Sequence, residues 1–149
     1  MIQPLDHQNP KVAAQIRGVF QASYRVEAAL LGAVDFPPLK RPLEKFVEAP
    51  TRFYGFLREE VLAGVIEIEL LPGVTDINSL VVHPSHFRQG IGKALMEFVL
   101  VHFQAPCVVV ETGVDNLPAI ALYRQLGFVE VRQWDTDHGV RKVKLERRG

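Results

Sequence analysis

Apolar positions recur with helical spacing from residue 12 onward: Val12, Ile16, Val19, Phe20, Tyr24 and Leu30 fall on one stripe. Asn9-Pro10 ahead of them reads as an N-cap with proline in the first helical position. The helix should stop near Gly32-Ala33. Asp35-Phe36-Pro37-Pro38 is a break, followed by a short helix over 42–47. The period then changes. Residues 51–58 and 61–71 read as strands joined by a turn at Arg58-Glu59-Glu60. In the second of them Val65, Glu67 and Glu69 alternate with Ile66, Ile68 and Leu70. Pro72-Gly73 is a turn, and 75–83 a third strand stopped by Pro84. Residues 90–103 form an amphipathic helix with Ile91, Leu95, Phe98 and His102 on one stripe. The run from Cys107 to Thr112 is almost wholly apolar, as expected of a strand buried on both faces. A helix over 116–126 ends at Gly127, and residues 128–134 and 140–146 close the chain as a hairpin around Asp135 to Gly139. With a short strand at Ile2 to Leu5, the order is β-α-α-β-β-β-α-β-α-β-β. The β-α-β crossover among otherwise antiparallel strands predicts an α/β fold: one mixed sheet with helices on both faces.

Composition adds boundaries to this picture. The 149 residues suit a single domain, 1–149, with no internal repeat or linker. The 17 basic and 17 acidic residues cancel, which argues against a nucleic-acid partner. Cys107 is the lone cysteine, so no intramolecular disulfide forms. The N-terminus lacks the basic and apolar regions of a signal peptide, and no apolar run reaches the roughly 18 residues of a membrane span. The expectation is a cytoplasmic protein without a membrane partner. Oligomeric state is open, a homodimer being common among small enzymes.

The segment from Val81 to Leu95 carries the first chemical signal. A strand runs into a loop, Arg88-Gln89-Gly90-Ile91-Gly92-Lys93, and a helix opens directly behind it. Unpaired backbone N–H groups and the positive end of the helix dipole make such a turn an anion site. Glycine removes the Cβ that would hold a phosphate off, and Arg88 and Lys93 add charge at the rim. Two familiar phosphate loops do not fit. A dinucleotide fingerprint needs glycine or alanine where Leu95 stands. A Walker A loop needs glycine at Phe87 and a hydroxyl at Ala94.

The segment from Glu111 to Phe128 carries the second. Asn116, Ile120 and Tyr123 share one helix face, and Glu111 lies near the C-terminal end of the preceding strand, where open sheets bind ligands. Together the two segments resemble the GNAT superfamily of N-acetyltransferases, whose coenzyme A pyrophosphate motif is similar to Val82-x-Pro84 followed by Arg88 to Lys93. The closing motif of that superfamily is similar to Asn116, Ala119-Ile120, Leu122-Tyr123 and Leu126-Gly127-Phe128, and the spacing of Glu111, Asn116 and Tyr123 is similar to that of bacterial enzymes acting on ribosomal-protein N-termini. One position departs: the usual Arg or Gln three residues before the first glycine is Phe87.

The resemblance implies an acetyl-CoA-dependent N-acetyltransferase with no metal, transferring acetyl directly from the thioester to a primary amine. It implies cofactor contacts from Leu80, Val81, Val82, Arg88, Gln89, Gly90, Ile91, Gly92, Lys93, Asn116 and Tyr123. Catalysis would rest on Tyr123 as the proton donor to the departing sulfur and on Glu111 as base, with Glu67, Glu69 and Asp76 as rival bases. The chemistry asks for such groups: an alkylammonium titrates at about 10.4 and a thiol at about 8.5. A strand N–H from Leu80 to Val82 would face the oxyanion. The acceptor pocket is expected between the first two helices, the Pro72-Gly73 turn and the last hairpin, with Trp134 either lining it or simply packed. His83 and His86 lack a third metal ligand, and Cys107 reads as a buried, inert thiol. A non-catalytic acyl-CoA-binding module of the same fold is the alternative.

Overall fold

In the computed structural model, which describes residues 1–149, seven strands form one sheet in the order β1-β2-β3-β4-β5-β7-β6. The strands are β1 (Ile2–Pro4), β2 (Arg52–Arg58), β3 (Val61–Leu71), β4 (Val74–Val82), β5 (Cys107–Gly113), β6 (Val129–Asp135) and β7 (Arg141–Arg148). The helices are α1 (Pro10–Leu31), α2 (Leu43–Val47), α3 (Ile91–Phe103) and α4 (Leu117–Gln125). β4 and β5 are the parallel pair, and every other pairing is antiparallel.

Local chemistry accounts for the boundaries. The Asn9 side chain accepts the Lys11 N–H at 2.9 Å and caps α1, which ends at Gly32 in a left-handed conformation. Alternation along β3 divides the core. Ile66 and Ile68 face α3 and α4, in a cluster with Leu95, Met96, Val99, Val110, Phe128 and Leu145. Val65 faces α1 and α2, in a second cluster with Ile16, Phe20, Phe46, Phe53 and Val81. Helices therefore cover both faces of the sheet.

The structure corrects two details of the sequence reading. The buried residues of α3 are Ile91, Leu95, Met96 and Val99, whereas His102 is exposed and stacks on Phe98 at 4.0 Å. The stripe thus turns toward Met96 and Val99. The break after α1 also contains a 3-10 turn at Pro37–Lys40, which follows Asp35 at φ 52° and fixes Phe36 in a buried position.

Candidate active site

The sheet opens between β4 and β5. Their parallel pairing runs from Val74↔Cys107 to Ile77↔Val110 and goes no further, although β4 continues to Val82 and β5 to Gly113. The cause is local. Glu67 pairs with Ser79 and Ile68 with Ile77, so Asn78 is the extra residue of a β-bulge that bends β4 away. Beyond it, His83 N–H bonds back to the Ala63 carbonyl of β3 at 2.8 Å. By alternation the N–H groups of Leu80 and Val82 point the other way, into the fork. Val82 N–H donates there to Ser23 Oγ of α1 at 3.3 Å.

At the outer end of the fork lies the glycine turn. Gly90, at φ 75°, is the N-cap of α3, and no side chain caps the helix. Its first backbone bond is Ala94 N–H to the Gly90 carbonyl at 3.0 Å, leaving the N–H groups of Ile91, Gly92 and Lys93 free. Arg88, Gln89, Gly90 and Lys93 are exposed or partly so. The left-handed φ explains Gly90, where a Cβ would meet nothing within 4 Å, but neither conformation nor crowding explains Gly92. A Cβ at Gly92 would rest 3.7–3.9 Å from Leu122, Leu80 and Val82, an ordinary contact. Glycine in a first helical turn lowers helix propensity without helping this core, so its use at 92 is explained by what approaches from outside: a phosphate on bare backbone. Arg88 holds the left-handed conformation, φ 63°, and Phe87 is exposed beside it.

At the inner end is a cleft of about 820 Å³. It is lined by α1, the α1–α2 connection, β3, β4, β5 and the β6–β7 end, and Leu80 belongs both to it and to the surroundings of Gly92. Leu80 is therefore the residue common to the turn and the cleft. The Pro72-Gly73 turn and Trp134 do not line it. Pro72-Gly73 lies at the opposite end of β4 from the fork, and Trp134 is half-buried under the Arg132 guanidinium, 4.4 Å away.

Tyr123 is 4% exposed, lines the cleft and bonds to no protein group through its hydroxyl. Burial holds its proton above the ordinary phenol range, and the nearby Glu27 carboxylate and Tyr24 push it further. Asn116 caps α4, its Oδ1 accepting Ala119 N–H at 3.4 Å while its Nδ2 donates to Thr112 Oγ1 at 3.1 Å and to Glu27 Oε1 at 3.0 Å. Glu111 lines the cleft, half-exposed, 3.9 Å from Lys142 Nζ.

The rival carboxylates separate clearly. Glu67 is 3% exposed and saturated: Arg41 donates to it at 2.8 and 3.1 Å, Thr51 Oγ1 at 2.7 Å and Ser79 Oγ at 3.1 Å. Both of its carboxylate oxygens are thus occupied by donors. Glu69 and Asp76 are cross-strand partners in the part of the sheet that is still paired. Asp76 is pushed above the usual carboxylate range by burial and by Glu111 and Glu69.

Several lining residues had no motif to mark them: Tyr24, Glu27, Phe36, Arg41 and His138. Tyr24 and Glu27 lie three apart on α1, and a glutamate one turn from the apolar stripe was the available sign. Phe36 sits between Tyr24 and His138, at 5.9 and 6.1 Å between ring centres, and so joins the α1–α2 connection to the final hairpin across the cleft. Cys107 is buried, bonds to Glu146 Oε1 at 3.3 Å, and its thiol is pushed up by burial, as an inert thiol should be.

Comparison with known proteins agrees with this architecture. The model of the acetyltransferase (GNAT) family matches residues 17–128. The chain belongs to the acetyltransferase (GNAT) family. It is 36% identical over 129 residues to the UPF0157 protein YqkA of Bacillus subtilis (strain 168), covering 86% of this chain and 38% of YqkA. It is 36% identical over 69 residues to the mycothiol acetyltransferase of Arthrobacter sp. (strain FB24), covering 44% of this chain and 20% of that protein. The chain thus spans well under half the length of both curated relatives. The ribosomal-protein-S18-alanine N-acetyltransferase of Escherichia coli has the same fold, with a TM-score of 0.78 at 19% identity over 99% of this chain and 92% of that one. So does the PaiA N-acetyltransferase of Thermoplasma acidophilum, solved in complex with coenzyme A: TM-score 0.75, 17% identity, over 100% and 98% of the two chains.

Proposed function

We propose that this chain is an acetyl-CoA-dependent N-acetyltransferase that moves an acetyl group directly from the thioester to a primary amine. The observation that carries the reading is the fork beyond Ile77 and Val110, with an uncapped glycine turn at one end and a buried, unpartnered tyrosine at the other. The pyrophosphate of acetyl-CoA rests on the N–H groups from Arg88 to Lys93. The rest of the molecule extends along Val82, Val81 and Leu80, and Asn116 holds the opposite wall. Leu80 N–H polarises the thioester carbonyl and meets the oxyanion.

The amine enters from the α1 side, across the acidic wall of Glu111, Asp76 and Glu69. Glu111 removes the ammonium proton and passes it to solvent, and the amine attacks. The C–S bond breaks as Tyr123 protonates the leaving sulfur. Glu67, tied to Arg41, takes no part in proton transfer.

Titration calorimetry with acetyl-CoA, followed by thiol release and acceptor mass in an amine panel, tests the reading. The reading holds if acetyl-CoA binds and an amine gains an acetyl group. Coenzyme A binding without transfer to any amine would favour a non-catalytic acyl-CoA-binding module, and no binding would overturn both.

A further inference from the structure

Acetyl transfer from a thioester to an ammonium displaces two protons from nitrogen. One leaves before attack and is the net proton released. The other leaves as the C–N bond forms, and it must replace the one Tyr123 gives to sulfur. Half-exposed Glu111 exchanges with water and serves the first. The second needs a carboxylate shielded from solvent yet open to the cleft.

Glu27 of α1 meets that description. It is partly buried and lines the same cleft as Tyr24 and Tyr123. Its Oε1 accepts Asn116 Nδ2 at 3.0 Å, and no protein donor bonds its Oε2. Asn116 is itself fixed by Thr112 and by its own cap bond, so the carboxylate is oriented from the far side of the fork. A carboxylate that is mostly withdrawn from water yet has a single hydrogen bond is costly as a purely structural element. Compare Glu67, to which four donor contacts are made.

Resting on the acetyltransferase reading above, we propose that Glu27 is the internal proton carrier of the reaction, taking the second amine proton and returning it to Tyr123. The balance closes. The amine N–H bond breaks to Glu27 carboxylate as the C–N bond forms. The C–S pair goes to sulfur, which takes the Tyr123 proton. Glu27 then reprotonates the tyrosinate. The products are amide, thiol and the one proton already released through Glu111.

The groups around Glu27 fit this task. Tyr24 lies on its own helix, Glu111 on β5, Tyr123 on α4, Lys142 on β7, and His138 in the β6–β7 turn. Burial raises Glu27 above the usual carboxylate range, against the attraction of Lys142 and the Asn116 bond. A carrier that must gain a proton from an amine and yield it to a tyrosinate benefits from that position.

Glu27→Gln is the deciding variant, because the amide oxygen still accepts from Asn116 but the side chain no longer carries a proton. The relay predicts a loss of kcat of about 100-fold or more, with acetyl-CoA affinity and the KM for amine within about two-fold of the parent. Carbon-13 NMR of the glutamate carboxyls adds a readout free of activity: one resonance, absent in Glu27→Gln, titrates above the others. Parent-like kcat in Glu27→Gln with loss only in Glu27→Ala would show a structural tether and overturn the relay. So would a Glu27 resonance titrating in the ordinary glutamate range, whether or not an amine acceptor has been found. An inactive parent whose Glu27 titrates high would count against the acetyltransferase reading alone.

Discussion

Ile77 and Val110 are the last partners in the parallel pairing of β4 and β5. Everything proposed for catalysis lies beyond them. The bulge at Asn78 turns a strand edge into an interior wall, along which Leu80 N–H has no partner while Val82 N–H is taken by Ser23 Oγ.

The glycine turn offers a test in which fold and function move in opposite directions. Gly92→Ala places its methyl in ordinary contact with Leu122, Leu80 and Val82. Helix propensity favours alanine by roughly 1 kcal/mol. Thermal unfolding should occur at the parental temperature or slightly above it. Calorimetry should show acetyl-CoA binding weakened about ten-fold or more, because the methyl stands between phosphate and backbone.

Tyr123→Phe removes a hydroxyl that bonds to no protein group. The fold should lose little stability, and acetyl-CoA should bind as before. Rate measurements should show kcat lowered about 100-fold, the scale of one general acid. The loss should shrink with acyl donors whose thiols leave more readily.

Arg41 and Glu67 behave differently. Arg41→Ala strands a carboxylate that is 3% exposed, with only Thr51 and Ser79 left to donate. Breaking one side of a buried pair costs roughly 3–5 kcal/mol. Those two hydroxyls should hold the loss near the lower limit in a urea titration. Glu67→Gln keeps the shape and one acceptor oxygen but sets its amide NH2 against an Arg41 donor, so it should also lose stability in the same titration, by less than Arg41→Ala because no buried charge is stranded.

Stability should also depend on pH in a direction opposite to that of a salt-bridged acid. Burial raises Glu27 and Asp76 above the usual carboxylate range. Between their unfolded values, about 4, and their raised folded values, the folded chain binds more protons than the unfolded one. Stability from these two groups is therefore full below that window and falls as pH rises through it. Melting temperatures of Asp76→Asn and Glu27→Gln across that window should fall less steeply than the parent's.

The sequence carried the element order because its periods are clean and its stops are chemical: Asn9-Pro10, Glu59-Glu60, Pro72-Gly73, Pro84 and Gly127. It showed the glycine turn through local spacing, and it pointed to Tyr123 through the closing motif that the chain resembles. It did not show how the carboxylates divide. Glu67, Glu69, Asp76 and Glu111 look alike in the chain, and only the partners supplied by Arg41, Thr51 and Ser79 single out Glu67. Glu27 was hidden for the same reason. Its bond to Asn116 joins residues 89 positions apart, which no local pattern records. The Phe36 contact with His138 is likewise a product of packing between two loops.

An interrupted pairing in the middle of a sheet is, in another sense, a pair of strand edges that never reaches the perimeter. Exposed edges recruit other strands and lead to aggregation. Here α1 covers one face of the opening and α3 with α4 the other, so no second sheet can dock. What remains is a gap between β4 and β5 in which strand pairing has stopped at Ile77 and Val110. The hydrogen-bonding hunger of an unpaired edge, a hazard at the rim of a protein, is thereby kept inside the fold, where the proposed acyl carrier would take the place of a neighbouring strand.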